Sequence, residues 1–351
     1  MVASPSATYP LAALSTIISM IHIEHLTKDY RRLVRKEGFL SSLRTLFSAE
    51  YTTIHAVNDI TFHINEGELV GYIGPNGAGK STTLKVLSGI LVPTSGRVEV
   101  NGLVPHKDHN ANARQIGAVF GQKTQLWWDV PVIESLRLLR DIYKVPEAQF
   151  KRNLSLFDDL LDLHEYQNTP VRQLSLGQRM RADMAAALLH NPRILFLDEP
   201  MIGVDVVAKD RLRTFIKEIN RDQKVTVLFT THDMGDIEKI CSRIMIIDHG
   251  QIIYDGSLDQ IRARYGTKRT LVVEFEGEVP DFEAPKAARV KSEGRKKWFA
   301  FNRFETSPSY LIAHISARFP IIDLTVEEPE IEEIVRTIYR GQAETSEAAS
   351  P

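Results

Sequence analysis

The chain has 351 residues, of which 43% are hydrophobic and 25% charged, a composition that supports a buried core and excludes an intrinsically disordered chain. Its length fits two domains, or a large one with a smaller companion. With 43 Lys and Arg against 45 Asp and Glu, the formal net charge is −2. Bulk electrostatics therefore calls for neither nucleic acid nor an anionic surface. The single cysteine, Cys241, excludes an intramolecular disulfide and a thiolate metal cluster, and it fits a reducing compartment.

No stretch reaches the roughly 18 to 20 apolar residues that a bilayer crossing needs. The nearest, over 11–23, is interrupted by Ser15, Thr16 and Ser19. Residues 1–19 contain Pro5 and Pro10 and read as a flexible tail, and the first ten carry no Lys or Arg, so a secretory n-region is missing. Met20, directly before the alternating Ile21-His22-Ile23, is an alternative start.

Residues 21–29 alternate and predict a strand. Tyr30 and a basic run (Arg31, Arg32, Arg35, Lys36) follow, and Leu40, Leu43 and Phe47 recur at the spacing of a short amphipathic helix. A strand over 54–64 turns through Asn65-Glu66-Gly67-Glu68 into an apolar strand over 69–73, then into glycines and a helix-forming run to Gly89. Short apolar strands are predicted at 116–120, 194–198, 226–230 and 244–248, with helices near 132–143, 150–162, 176–190 and 207–220. That alternation argues for a mainly parallel sheet covered on both faces. Segments 96–100 and 251–255, each beside glycines, read as hairpin strands of an antiparallel sheet. Gly266-Thr267 marks a boundary. Beyond it lie strands at 271–275 and 297–301, a helix opened by Ser307 and Pro308 with Leu311, Ile315 and Phe319 on one face, a strand at 321–326 and a helix over 329–339. Together these predict a small α+β unit. No internal repeat is visible.

The sharpest chemical signal is Gly74-Pro75-Asn76-Gly77-Ala78-Gly79-Lys80-Ser81, followed by Thr82, a full P-loop between a predicted strand and a predicted helix. Glycines let several N–H groups point inward at phosphate oxygens, and the helix N-terminus adds its positive end. Lys80 is placed for the β- and γ-phosphates and Ser81 for Mg²⁺. The apolar strand 194–198 ends in Asp198-Glu199. Carboxylates at the C-terminal edge of a parallel sheet are costly unless they meet a cation or do proton chemistry. Asp198 fits Mg²⁺, and Glu199 is placed to orient or deprotonate an attacking water.

Leu174-Ser175-Leu176-Gly177-Gln178 precedes a helical run over 179–190. With the P-loop, this pentapeptide resembles the signature of ABC-type ATPases, usually written with Gly where Leu176 stands. The resemblance covers about residues 21–260. It identifies Gln122 with the Q-loop glutamine (a Mg²⁺ and water ligand), Asp205 with the D-loop aspartate, and His232 with the switch histidine that holds the γ-phosphate. Tyr30 corresponds to the aromatic that stacks on adenine, with Tyr51 as the rival, because 31–53 looks inserted. The implied fold is a P-loop NTPase of the α/β class: a RecA-like parallel sheet core, an antiparallel β subdomain and a helical subdomain. The implied division is an ATP-binding domain over 20–265 (helical subdomain about 123–190), a small α+β accessory domain over 267–340 and a disordered tail over 341–351.

In such families two ATP molecules lie between two domains, each γ-phosphate meeting one chain's P-loop and the other chain's signature, here Ser175, Gly177 and Gln178. The cofactors implied are ATP and Mg²⁺. The partners implied are transmembrane permease subunits and a second ATP-binding subunit, identical or not, at the cytoplasmic face of the cell membrane, with no nucleic acid. Phe120-Gly121-Gln122-Lys123-Thr124-Gln125-Leu126-Trp127-Trp128-Asp129 is similar to an ABC-2-type exporter branch that includes viologen exporter ATPases. In that branch Trp127 and Trp128 either meet the membrane subunit or pack the helical subdomain. Two residues depart from the family pattern after Pro200: Met201 and Val204 replace the usual Thr and Leu, a change expected to loosen the loop's hydrogen bonding. A soluble ABC ATPase acting on ribosomes or DNA is the alternative function. Against it stand the lack of a second such domain and of coiled-coil or zinc insertions.

Overall fold

In the computed structural model, residues 19–33, 51–121 and 123–348 are described. The elements in chain order are β1 (Ser19–Leu33), β2 (Tyr51–Asn65), β3 (Leu69–Ile73), α1 (Lys80–Leu87), β4 (Ser95–Val100), α2 (His109–Ala113), β5 (Ile116–Phe120), α3 (Val132–Tyr143), α4 (Glu147–Leu161), α5 (Leu176–Leu188), β6 (Ile194–Asp198), α6 (Val206–Gln223), β7 (Thr226–Thr231), α7 (Met234–Ile240), β8 (Arg243–Asp248), β9 (Gln251–Ser257), α8 (Leu258–Tyr265), β10 (Lys268–Phe275), β11 (Ala287–Glu293), β12 (Lys296–Asn302), α9 (Pro308–Ser316), β13 (Ile321–Glu327) and α10 (Ile331–Ala348).

Strand β3 and β6 up to Leu197 are apolar runs, β7 carries Val227, Leu228 and Phe229 between threonines, and every residue in the three is buried. That is what a strand covered on both faces requires. They lie in a six-stranded sheet of order β5-β6-β7-β3-β8-β9, parallel except where β9 returns antiparallel along β8. Alternate side chains feed two cores. Leu69, Ile73, Leu195, Leu197, Val227 and Phe229 face the helices α3 to α6. Val70, Tyr72, Ile194, Phe196 and Leu228 face α1 and a three-stranded antiparallel sheet of order β2-β1-β4.

The P-loop NTPase architecture expected from the sequence is thus present, with some differences. Segment 96–100 is not a hairpin strand: β4 pairs with β1, from Ile21↔Val100 to Thr27↔Ser95, because Val98 and Val100 bury against the same core as Ile21 and Ile23. The strand pairing of β1 and β2 runs out to Leu33↔Tyr51, so both ends of the segment read as an insertion, 31–53, are ladder. The helix expected over 40–47 falls outside the described residues, as does residues 1–18 of the N-terminal tail. The signature helix begins at Leu176, as the helical pattern over 176–190 predicts.

The C-terminal sheet has the order β11-β12-β10-β13 and is antiparallel throughout. Leu271, Val273, Phe275, Phe299 and Phe301 pack with Leu311 and Ile315 of α9 in a separate core, and Ser307 caps α9 by accepting the Tyr310 N–H. Strand β11 has no counterpart in the sequence reading. The last helix also departs from expectation. It runs on to Ala348, where 341–351 was expected to be disordered. Its stripe of Ile331, Ile334, Val335 and Ile338 joins the helix-side core of the large sheet rather than that of the small one, and the Ile331 N–H donates to Glu238 Oε1 of α7 at 3.2 Å. On the small sheet, Leu311 and Ile315 of α9 supply the helical cover.

Candidate nucleotide site

The P-loop leaves the C-terminal end of β3 and enters α1. Gly79 caps α1 with φ +109°, a backbone region open to glycine, and a Cβ there would stand 2.4 Å from the Ala56 carbonyl oxygen. Gly74 is needed for a similar reason, since a Cβ would come within 2.3 Å of Ile247 O. Pro75, Asn76 and Gly77 are exposed at the loop crest, while Ala78 and Lys80 are buried. Lys80 Nζ curls back to donate to the carbonyls of Gly74 (2.6 Å) and Pro75 (3.1 Å). Burial lowers its pKa, against the pull of the Glu199 and Asp198 carboxylates. Ser81 and Thr82 stand half-buried in the first turn of α1.

Asp198 ends β6, and β7 separates it from the P-loop strand. Thr230 of β7 joins the neighbouring residues: its hydroxyl donates to Asp198 Oδ1 at 2.8 Å, and its Oγ1 and backbone oxygen accept the Glu199 N–H at 3.0 and 3.1 Å. Glu199 is held at φ +52°, where a side-chain-bearing residue is uncommon and strain accompanies function. Its Oε2 lies 3.5 Å from His232 Nδ1. Gln122 lies outside the described residues, but the adjacent Gly121 N–H donates to the Asp198 backbone oxygen at 2.7 Å, which sets Gly121 beside the end of β6.

A second cluster forms around the signature. Ser175 caps α5 in a capping box: Ser175 Oγ accepts the Gln178 N–H at 3.2 Å, and Gln178 Oε1 accepts the Ser175 N–H at 3.0 Å. A Cβ at Gly177 would stand 3.4 Å from Asp205 Oδ2, and Asp205 itself caps α6 through Ala208 N–H at 3.0 Å. Among the described residues, no hydrogen bond or ion pair links Ser175, Gly177, Gln178 or Asp205 to the P-loop. Met201 and Val204 are buried in the helix-side core, and the loop between them closes with Val204 N–H to Met201 O at 3.3 Å. Apolar packing thus holds the shape of this loop, as the retention of Gly203 and Asp205 in the sequence suggested.

Tyr30 pairs with Ile54, and Tyr51 pairs with Leu33 at the far end of the ribbon. Ala56 abuts Gly79, so Tyr30 stands about 7 Å along the strand from that contact and Tyr51 about 17 Å. Tyr30 is 39% exposed with Lys28 Nζ 5.4 Å from its ring centroid.

Residues 57–202 match the family model described as ABC transporter. The chain is 32% identical over 215 residues to the ABC transporter ATP-binding protein NatA of Bacillus subtilis (strain 168), covering 61% of this chain and 87% of that protein. The linearmycin resistance ATP-binding protein LnrL of the same strain is 32% identical over 210 residues, 60% of this chain and 67% of LnrL. Among solved structures, a dimeric ATP-binding cassette in a post-hydrolysis state bound to ADP and Pi superposes with a TM-score of 0.57 at 26% identity, over 68% of this chain and 99% of that one. This chain belongs to the ABC transporter family, as an ATP-binding subunit. It is an ATPase, and ABC ATPases dimerise and work with transmembrane subunits.

For this ABC ATPase the sequence located the P-loop, Asp198, Glu199 and His232, and the fold gathers them at one sheet edge. What the sequence reading missed is Thr230, which ties Asp198 to Glu199. The available signal was a threonine at the C-terminal end of an apolar strand, where the adjacent strands carry the P-loop and the carboxylates.

Proposed function

We propose that this chain is the ATP-hydrolysing subunit of an exporter, closing over ATP as a dimer and driving separate transmembrane subunits from the cytoplasmic face. The observation that carries the reading is the convergence of Lys80, Asp198, Glu199 and His232 at one sheet edge. Lys80 releases its loop carbonyls to meet the β- and γ-phosphates. Glu199, aimed by the Thr230 contacts, takes the proton of the attacking water, and His232 steadies the γ-phosphate. Tyr30 stacks on adenine. Ser175, Gly177, Gln178 and Asp205 serve the partner's ATP, in keeping with their separation from the P-loop of their own chain.

Asp198 and Ser81, with Gln122, offer oxygen donors, the kind Mg²⁺ takes. Among the described residues no group of three His, Cys, Asp or Glu side chains converges on a metal position. Mg²⁺ would supply charge neutralisation across the β- and γ-phosphates.

Among the described residues no helix is long and apolar enough to cross a membrane, which supports a translocation path built by other chains. Trp127 and Trp128 are 42% and 48% exposed, and we assign them to contact with the membrane subunit rather than to the helical core. The wording of residues 120–129 and a relative named for linearmycin resistance favour export. Residues 20–265 form the ATP-binding domain and β10 to β13 with α9 the accessory unit. Affinity isolation of the full chain from native membranes in mild detergent tests the assignment. The expected result is co-purification of a polytopic membrane protein at matching stoichiometry. Recovery only from the soluble fraction, with ribosomes or DNA, would replace the exporter by the soluble ATPase.

A further inference from the structure

The segment following the Q-loop glutamine is tied to the signature helix through one buried carboxylate. Asp183 lies on α5 and is 3% exposed. Its Oδ1 accepts the Thr124 hydroxyl at 2.8 Å and the Gln125 N–H at 3.1 Å, and its backbone oxygen accepts Gln125 Nε2–H at 3.1 Å. Thr124 Oγ1 also accepts the Leu126 N–H at 3.1 Å, so one hydroxyl organises the turn. Further along, the Trp127 N–H donates to the buried Ser135 Oγ at 3.1 Å. Arg179, one turn before Asp183 on the same helix, sets its guanidinium 5.7 Å from the Trp128 ring centroid.

Asp183 is an expensive residue to keep here. Burial pushes its pKa up to about 6, although Thr124, Gln125 and Arg179 all favour the charged form. An apolar side chain would fill a helix–strand interface without that cost. What a carboxylate adds is a fixed acceptor for two donors of the segment, the Thr124 hydroxyl and the Gln125 N–H. Ser175 stands at the head of the same helix, about 12 Å away along its axis. A displacement of residues 124–125 therefore reaches the signature through a rigid rod.

We propose that Asp183 is a positioning residue that latches the Q-loop segment to the signature helix, so that ATP sensed at a chain's own P-loop sets the placement of the signature it offers to the partner's ATP. The proposal rests on the two-sided site described under Proposed function. It predicts coupling between the two ATP sites of a dimer rather than a contribution to ATP binding at either one.

The test uses the purified full chain. Turnover, affinity for a fluorescent ATP analogue, and hydrogen exchange of the amides at 175–178 with and without ATP are measured for Asp183→Ala, Asp183→Asn, Thr124→Val and the Asp183→Ala/Thr124→Val pair. Asp183→Ala and Thr124→Val should each lower kcat about tenfold, with affinity within about twofold of the parent. The pair should be no worse than either single change, and the ATP-induced protection at 175–178 should be lost. Asp183→Asn, which keeps an acceptor oxygen, should restore turnover. Should Asp183→Ala fail to fold, Thr124→Val carries the same test from the other partner. Turnover near the parent in both singles, additive losses in the pair, an Asn variant as impaired as Ala, or affinity falling in step with kcat would each overturn the latch. Ser175→Arg separates the two layers. If it abolishes turnover while the latch variants act as parent, the latch alone fails; if it leaves turnover intact, the two-sided site fails and the latch with it.

Discussion

At the C-terminal edge of the six-stranded sheet, Lys80, Asp198 and Glu199 are placed largely by backbone. Lys80 follows a loop whose turns need glycine, Asp198 ends a fully buried strand, and Glu199 is held at a positive φ by its own N–H on Thr230. The signature helix is placed differently. Beyond apolar packing in the helix-side core, its ties to neighbouring elements are side-chain bonds: Asp183 to Thr124 and Gln125, Arg181 to Asp162, and Asn153 Nδ2 to Leu189 O at 2.8 Å. Ladders of parallel strands are rigid, and single side-chain bonds can be broken and remade one at a time. The comparison assigns the fixed chemistry to the sheet edge and the moving contact to the helical layer.

That division can be broken most sharply at Glu199. If it is the proton acceptor, Glu199→Gln should lower ATP turnover by about a hundredfold or more while nucleotide affinity stays near the parent's, since the amide keeps the shape and loses the basicity. Equal turnover in a steady-state phosphate-release assay would remove Glu199 from the chemistry.

A smaller effect is expected where the two regions meet. A Cβ at Gly177 would stand 3.1 Å from Ala208 Cβ and 3.4 Å from Asp205 Oδ2, so Gly177→Val must push α5 away from the D-loop. Overpacking of this kind costs about 1–3 kcal/mol. Urea titration should show that loss, and turnover should fall about tenfold or more, without loss of nucleotide affinity at the P-loop. A parallel loss of affinity would mean that the two regions are one rigid body.

The smallest expected effect concerns pH. His190 stacks on Tyr143 with ring centroids 4.0 Å apart, its Nε2–H donates to the Ile116 carbonyl oxygen at 3.1 Å, and burial lowers its pKa to about 4 despite that carbonyl. Its folded pKa is depressed, so the unfolded chain takes up the proton first. The neutral imidazole's contribution is full above about pH 6.5 and is lost as pH falls toward 4, up to about 3 kcal/mol. Asp183, with a raised pKa, acts in the opposite sense: its ionisation costs stability as pH rises from about 4 to 6. His190→Phe should cost about 1 kcal/mol near pH 7, where one polar contact is lost, and gain on the parent as pH falls below 6. Thermal midpoints at pH 7 and 4.5 measure the crossover, and a constant difference between the two proteins would exclude His190 as an acid-sensitive group.

How much of this was legible in the sequence follows from the range over which each constraint acts. The P-loop, the Asp198-Glu199 strand end and the Ser175 cap are local: glycine, lysine or carboxylate at short spacing dictates the backbone turn and the chemistry together, so reading residues in order finds them. The apolar stretches within β3, β6 and β7 were equally plain, since burial on both faces favours apolar side chains. Strand β11 was invisible because its residues are mostly exposed and only pairing with β12 makes it a strand. The partner of β4, the surface taken by α10 and the joining of Asp198 to Glu199 through Thr230 were decided by residues far apart in the chain. Asp183, alone in a helical run, looks like an ordinary polar position until Thr124 and Gln125 arrive beside it. The sequence determined the chemistry of the nucleotide site because that chemistry is written in contiguous residues. The tertiary structure decided how the site is coupled, because a hydrogen bond between distant segments exists only once packing has brought donor and acceptor within reach.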